Sequence, residues 1–369
     1  MALSIISRNQ GVLASSSDTS AILQAGITQK AFTRLIAQYP YVNSSEEIAQ
    51  YLKRSVDSVV GPVSNATKDL TYAMDRLSSG NGLIDLYKET RNETYRNAYI
   101  ALRGSVNLNS RNAEDGLWYF VYPNWSYLDG MYSLAPFYAY YTTLLDPHNA
   151  TAIADLMHQL DLLWTHCAAA NGTGLLVHGY DDSKTAVWAD PQTGASPHVW
   201  GRSLGWYTMA LVDTLEILPR KTHPSDWALL RARFRQLAGA LRTAADPASG
   251  AWWQLLDQPG RAGNYIESSG SAMFVYSLLK GVRLGYLDSG VPAYTDVATR
   301  AYSYITDTFV VNNGNGTLGY NGTVSVCSLN STASYEYYVG QPISYNSVLG
   351  SAAFVLASLE YESFVAREK

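Results

Sequence analysis

Two acidic side chains stand where proton-transfer chemistry would be placed. Asp129 lies in Tyr122-Pro-Asn-Trp-Ser-Tyr-Leu-Asp-Gly-Met-Tyr-Ser-Leu-Ala-Pro-Phe-Tyr138, at the start of an apolar helical run. A carboxylate at a helix start ordinarily caps the free N–H groups there. Here it is hemmed by Trp125, Tyr127, Tyr132 and Phe137. An aromatic, poorly solvated setting raises a carboxyl pKa and keeps a proton available for donation. Asp75, in Met74-Asp-Arg-Leu-Ser-Ser-Gly80, occupies the equivalent position of the preceding apolar helix. Neighbouring helices would bring the two acids near each other, and like charge would push one pKa up further.

Other chemistries lack their residues. There is no His-Glu-x-x-His and no paired Cys-x-x-Cys, and His158 and His166 read as ordinary residues of one helix. No phosphate-binding glycine loop, Gly-x-Ser-x-Gly elbow or nicotinamide fingerprint occurs, so neither a metal nor a cofactor is expected. Acid and base work by carboxylates is what remains. Six of nine tryptophans and five of six histidines lie between positions 118 and 206. Rings that stack on the C–H faces of sugars would account for that crowding. Trp164, inside Leu162-Leu163-Trp164, reads as core, whereas Trp125, Trp200 and Trp206 fall at junctions between loops and helices.

The elements that must position these residues repeat. Apolar helical segments rich in small residues open near Gly26, Gly80, Gly130, Gly205, Gly270 and Gly350. The first five are each followed by a turn and a more amphipathic helix, opening near Ser45, Asn92, Pro147, Pro224 and Pro292. A helix that is apolar all round is packed on all sides, whereas one apolar stripe covers a core from outside. The spacing therefore predicts an all-α chain, an (α/α)6 barrel of six helical hairpins forming one domain over 1–369. An open solenoid of hairpins is the alternative. The chain ends too soon to supply a sixth outer helix, so the N-terminal segment, poorly defined over 1–19, would complete it. Long loops at 168–198, 246–267 and 312–344 are expected to gather at one end and build the site.

Composition narrows the partners. Lys plus Arg is 26 against 31 Asp plus Glu, a net charge of −5 with no basic cluster, which argues against nucleic acid or an anionic membrane. The apolar runs around Ala272–Leu279 and Ala352–Leu359 are too short for the ~20 residues of a membrane span. Nine of nineteen asparagines sit in Asn-X-Ser/Thr sequons: Asn43, Asn65, Asn92, Asn124, Asn149, Asn171, Asn315, Asn321 and Asn330. That excess points to a secreted, extracellular glycoprotein of a eukaryote, with a fungus the first expectation. Met1 to Thr19 lacks the apolar core of a signal peptide, so an export signal is expected to be absent from this sequence. A monomer is expected. Cys167 and Cys327 permit one disulfide, and two buried thiols are the equal alternative.

These residues resemble glycoside hydrolase family 105, the unsaturated rhamnogalacturonyl hydrolases. Tyr-Pro-x-x-x-x-Leu-Asp-Gly-Met-Tyr around Asp129 is similar to the catalytic segment of that family. His178-Gly-Tyr-Asp-Asp, Trp188-Ala-Asp-Pro-Gln-Thr-Gly194 and Ser196-Pro-His-Val-Trp-Gly-Arg-Ser-Leu-Gly-Trp-Tyr207 resemble its central signature. Tyr265-Ile-Glu-Ser-Ser-Gly-Ser-Ala-Met-Phe274, Lys280-Gly-Val-Arg-Leu-Gly-Tyr286 and Tyr335-Glu-Tyr-Tyr338 resemble later blocks. The resemblance implies the same barrel and a hydrolase that removes a 4,5-unsaturated uronic acid from the non-reducing end of pectin-derived, rhamnogalacturonan-type oligosaccharides. It implies hydration of a vinyl ether, with Asp129 as acid/base and Asp75 as the assisting carboxylate. His178, Trp200, Arg202 and Trp206, together with Asn124 and Tyr127, would bind the substrate. Arg202, whose planar fork suits paired oxygen acceptors, is expected to contact the substrate's polar or carboxylate oxygens, and a surface ion pair is its plainer reading.

The sequence departs from that family at Ala25–Phe32, where a Trp/His-rich opening is common, and at Tyr119, where a His is usual. It departs also at Tyr127, commonly Trp, and at Asn346-Ser347, commonly Asn-Asp. These changes bear on the sugar beyond the unsaturated residue. Two other functions compete: an inverting glycosidase acting on saturated sugars through Asp75 and Asp129, and a secreted carbohydrate-binding protein without turnover.

Overall fold

The computed structural model describes residues 1–14, 20–288 and 293–368. Pro292 and Thr19, named above as sequence landmarks, lie outside the described residues. In chain order the first helices are α1 (Ala2–Ser7), α2 (Ala21–Gln38), α3 (Ser45–Val60) and α4 (Ala66–Asp69). A 3-10 segment, Met74–Ser79, runs into α5 (Gly80–Thr90) and is followed by α6 (Glu93–Leu108). Strand β1 (Trp125–Tyr127) precedes α7 (Asp129–Leu145) and α8 (Ala150–His166), and β2 (Gly179–Asp181) precedes α9 (Gly201–Ile217) and α10 (Pro224–Ala244). The chain closes with α11 (Ser268–Arg283), α12 (Tyr294–Phe309), β3 (Val310–Asn312), β4 (Leu318–Tyr320), α13 (Tyr335–Val339) and α14 (Val348–Glu368).

Packing closes a ring. α2, the 3-10 segment with α5, α7, α9, α11 and α14 each lie against the next, and α14 returns onto α2. That closure excludes the open solenoid. α3, α6, α8, α10 and α12 cover the inner helix that precedes each of them, and α1 packs on α14 and α3. The N-terminal segment thus completes the sixth hairpin, with a helix of only 6 residues.

Burial follows the predicted division. Every residue of α9 from Gly201 to Leu215 is buried, as a helix packed on all sides requires. In α10 only Leu230, Phe234, Leu237, Ala238 and Leu241 are buried, one stripe at helical spacing. Close approach between inner helices explains a repeating glycine: a Cβ on Gly270 would stand 3.0 Å from the backbone carbon of Gly201. One reading is corrected here. Val348–Arg367 in α14 is long and apolar enough to span a membrane by length and composition, a longer run than the sequence reading recognised. Its position as an inner helix, with 67% of that window buried, supplies the reason for its apolarity.

At the C-terminal end of the inner helices a buried charge network ties the ring. The carboxylate of Asp213 accepts hydrogen bonds from Lys280 at 2.6 Å and from the Tyr276 hydroxyl at 2.7 Å, and it also pairs with Lys30. Arg283 pairs with Glu360 at 2.6 Å, linking α11 to α14. Burial pushes the Lys280 ammonium down to about 8, against the pull of Glu216. Cys167 and Cys327 are free and buried, which settles the choice between disulfide and thiols.

Several sequons also have a local structural use. The Asn65, Asn92 and Asn149 carboxamides cap α4, α6 and α8, and those of Asn171 and Asn315 close turns by accepting from the N–H two residues on. Asn-X-Thr is a natural capping and turn sequence, so part of the sequon excess follows from helix starts.

Candidate active site

The starts of the inner helices open into a cavity of about 660 Å³. Asp75, Asp129, Tyr127, Trp200, Arg202 and Trp206 all line it. Four elements bring the two acids there. Asp129 is the first residue of α7, and Asp75 the second of the neighbouring 3-10 segment. Gly130 lets them approach, since a Cβ there would lie 2.7 Å from the Met74 sulfur. Strands β1 and β2 pair antiparallel with Tyr127 opposite Gly179, and the Leu128 N–H donates to the His178 carbonyl at 3.1 Å. His178 is thereby fixed beside the start of α7.

Asp129 does not act as a cap. The residue before it makes no side-chain cap, and its own Oδ2 accepts a 2.5 Å hydrogen bond from the Ser203 hydroxyl of α9. The Nε2 of His178 lies 3.2 Å from that same oxygen. On its other side the His178 ring meets the Tyr338 hydroxyl through Nδ1 at 2.7 Å, and its side chain is buried behind the acid. Tyr338 thus holds the ring from behind, with Nε2 turned toward Asp129.

Asp75 is the carboxyl displaced upward. Burial pushes it up to about 7, with the nearby Asp129 adding to the rise and Tyr119 and Arg76 opposing it. Its Oδ2 accepts from the Tyr119 hydroxyl at 2.9 Å, while Oδ1 is buried with no hydrogen-bond partner among the described residues. Burial holds the Tyr119 phenol well above its ordinary range, so it stays a donor. Tyr119 therefore supplies a hydrogen bond to the acid.

Rings form much of the remaining wall. The Trp200 indole donates to Gln254 Oε1 at 3.1 Å and lies 4.8 Å from the His178 ring, while Trp206 packs 4.4 Å from Tyr132. Arg202 is buried, not a surface ion pair, and its guanidinium sits 4.8 Å over the Trp200 ring. Its fork donates to the Val324 carbonyl at 2.5 Å and the Ser325 carbonyl at 2.7 Å, with Glu267 at 3.9 Å. The fork expected to meet substrate oxygens is thus occupied by the backbone that leads into the Val326–Ser328 wall. Asn124 departs from expectation. It does not line this cavity but an adjoining hollow, because the turn from Tyr122 to Trp125 carries it outward with φ +67°.

Three contributions escaped sequence reading. Ser203 looks like one more small residue of a packed helix, Tyr338 carried no role beyond its motif, and the N-terminal segment supplies Leu13, Ala14 and Ser20–Leu23 to the wall. The nearest signal was the need for a sixth outer helix, which required this segment to cross the barrel end. Among the described residues no group of three or more His, Cys, Asp or Glu side chains is placed to hold a metal.

Comparisons with known proteins agree with this architecture. The sequence pattern of Glycosyl Hydrolase Family 88 matches residues 24–365. A 24.9 kDa protein in the picA locus of Rhizobium radiobacter is 37% identical over 198 residues, 52% of this chain and 83% of that protein. The unsaturated glucuronyl hydrolase of Bacillus sp. GL1, responsible for degradation of glycosaminoglycan, has the same fold at 16% identity and a TM-score of 0.66, over 96% of this chain and 89% of that one. A family 105 glycoside hydrolase of C. acetobutylicum ATCC 824 is 34% identical, with a TM-score of 0.86 over 98% of both chains. On that full-length similarity and the matched family pattern, the chain belongs to glycoside hydrolase family 105, within the Family 88 group, and is a glycoside hydrolase with an (α/α)6 barrel.

Proposed function

We propose that this enzyme removes a 4,5-unsaturated uronic acid from the non-reducing end of pectin-derived, rhamnogalacturonan-type oligosaccharides by hydrating the vinyl ether. The observation that carries the reading is the pair of unlike carboxyls in one aromatic cavity: Asp129 anchored through Oδ2 by Ser203, and Asp75 buried with its pKa raised to about 7. Asp129 gives its proton to C4, and the positive charge left at C5 is shared with the ring oxygen. Water adds at C5 and returns a proton to Asp129, which has acted as acid and then as base. The C5 hemiketal opens, and the hemiacetal left at C1 expels the remaining sugar. One acid serves both steps, so the carboxylate separation of ordinary glycosidases is not required. Trp200, Trp206 and Tyr127 supply faces for the sugar ring, and the chemistry needs no metal or cofactor.

The test is incubation with matched unsaturated and saturated disaccharides, following alkene absorbance and product mass. Loss of the alkene with release of the second sugar, and no turnover of the saturated compound, is expected. Equal rates on both would replace hydration with inverting hydrolysis. Binding without product on either would leave a carbohydrate-binding protein. Asp129→Asn should lower turnover about 10²- to 10⁴-fold, as removal of a positioned acid/base does. We also infer an extracellular setting, supported by the exposed sequons at Asn43 and Asn321.

A further inference from the structure

Beyond the catalytic cavity lies a second hollow of about 610 Å³, walled by the turn at Pro123–Trp125, the segment around Ser183–Trp188, and Asn330 with Ser331. The two hollows adjoin at Asn330, which lines both. A run of rings connects them. Tyr119, whose hydroxyl holds Asp75, stacks on Tyr127 with centroids 4.3 Å apart, and Tyr122 lies parallel to Tyr127 at 6.4 Å. Tyr122 meets Trp125 at 5.1 Å, and Trp125 meets Trp188 edge-on at 5.1 Å. Tyr119, Tyr122 and Trp125 keep part of their surface exposed along this path.

The far wall is built rather than loose. The buried Asp181 carboxylate accepts from the Ser183 N–H at 2.9 Å and from the N–H groups of Thr185 and Ala186 at 2.8 Å each, which fixes the segment carrying Val187 and Trp188. The hollow has unused polar capacity. The Trp188 indole N–H is buried without a partner, and the carboxamides of Asn124 and Asn330 make no hydrogen bond among the described residues. Among the described residues no charged side chain lines it. Ring faces flanked by free amide donors and acceptors, with no fixed charge, match a neutral pyranose.

We propose that this hollow is an outer subsite, holding the neutral rhamnose ring that lies two places beyond the disaccharide unit in the cavity, with the rings from Tyr119 to Trp188 as its track. The proposal rests on the activity proposed above. It makes the enzyme one that gains from longer oligosaccharides, where the cavity alone would treat a disaccharide as complete.

The experiment compares kcat/KM for unsaturated rhamnogalacturonan di- and tetrasaccharides in the wild type, Trp125→Ala and Val187→Trp. Val187 is 85% exposed, so a larger side chain there fills the hollow without disturbing the core. The wild type should favour the tetrasaccharide by about tenfold, the scale of one well-placed aromatic contact, and both variants should bring that ratio near one. A ratio of one in the wild type, or an unchanged ratio in both variants, overturns the proposal. Calorimetric titration with the saturated tetrasaccharide separates the two readings, because it needs no turnover. Weaker binding by Val187→Trp supports the subsite even if hydration fails, and equal binding by all three proteins rejects it even if hydration succeeds.

Discussion

The Ser203 hydroxyl of α9 donates to Oδ2 of Asp129 on α7 across the barrel wall, at 2.5 Å. With His178 Nε2 at 3.2 Å from the same oxygen, Oδ2 is committed to the protein. Oδ1 is then the oxygen left for the substrate. Ser203→Ala leaves the Asp129 Oδ2 without its hydroxyl partner, a loss of about 1–3 kcal/mol. Turnover should fall about 10- to 100-fold with the fold retained, because the acid loses its fixed rotamer. Steady-state kinetics alongside circular dichroism checks this. An unchanged kcat would remove Ser203 from the positioning of the acid.

Asp75 makes stability depend on pH in a direction opposite to that of a salt-bridged carboxylate. Its pKa rises from 3.8 to about 7 in the folded chain through burial first and the charge of Asp129 next. The folded state holds that proton more tightly than the unfolded chain. The resulting stabilisation is complete below about pH 4 and is lost as the pH rises through about 7. Denaturant titrations at pH 5 and pH 8 should therefore show a fall in the wild type that is smaller in Asp75→Asn. Equal pH dependence in the two proteins would show that Asp75 ionises normally.

At the other end of the barrel, Asp213 neutralises the buried Lys280 and the neighbouring Lys30. Asp213→Ala leaves two cations without their shared anion, and breaking such a pair costs about 3–5 kcal/mol. The midpoint of urea unfolding should drop sharply, while the catalytic cavity keeps its lining. A change within measurement error would mean that Glu216 alone can hold Lys280, which it meets at 2.6 Å.

Asn124 should remain unglycosylated in active protein. It is only half exposed, its backbone is left-handed, and it borders the hollow next to the cavity. A glycan there would fill that hollow. Glycopeptide mapping after expression in a eukaryotic host should find Asn124 bare while exposed sites such as Asn43 are occupied. Occupancy of Asn124 in fully active enzyme would contradict both this prediction and the outer subsite.

Sequence reading found the barrel because burial on all sides leaves an imprint that needs no partner to interpret, as in Gly201–Leu215. It was weaker where the 3-10 segment Met74–Ser79 runs into α5, because Ser-Ser-Gly-Asn-Gly across that junction has poor helical propensity. The acids were legible from their surroundings. Ser203 was not, since a serine in a small-residue helix looks the same whether it packs or donates. Arg202 was legible in type but not in direction: a fork suited to paired oxygens does not say that those oxygens are the backbone of Val324 and Ser325. The asparagines show the opposite difficulty, since one tripeptide encodes both a glycan acceptor and a helix start.

The closed ring also sets an electric polarity for the molecule. The inner helices point their first turns at the catalytic cavity, where Ile22, Asp75, Asp129, Arg202 and Leu349 line the wall. Each helix start carries about half a positive charge from its aligned peptide groups. Five such starts gather around one mouth, where their partial charges favour an anionic group, on a protein whose net charge is −5. A preference for negative charge is therefore built into the backbone at that mouth, and the loops are free to vary without removing it.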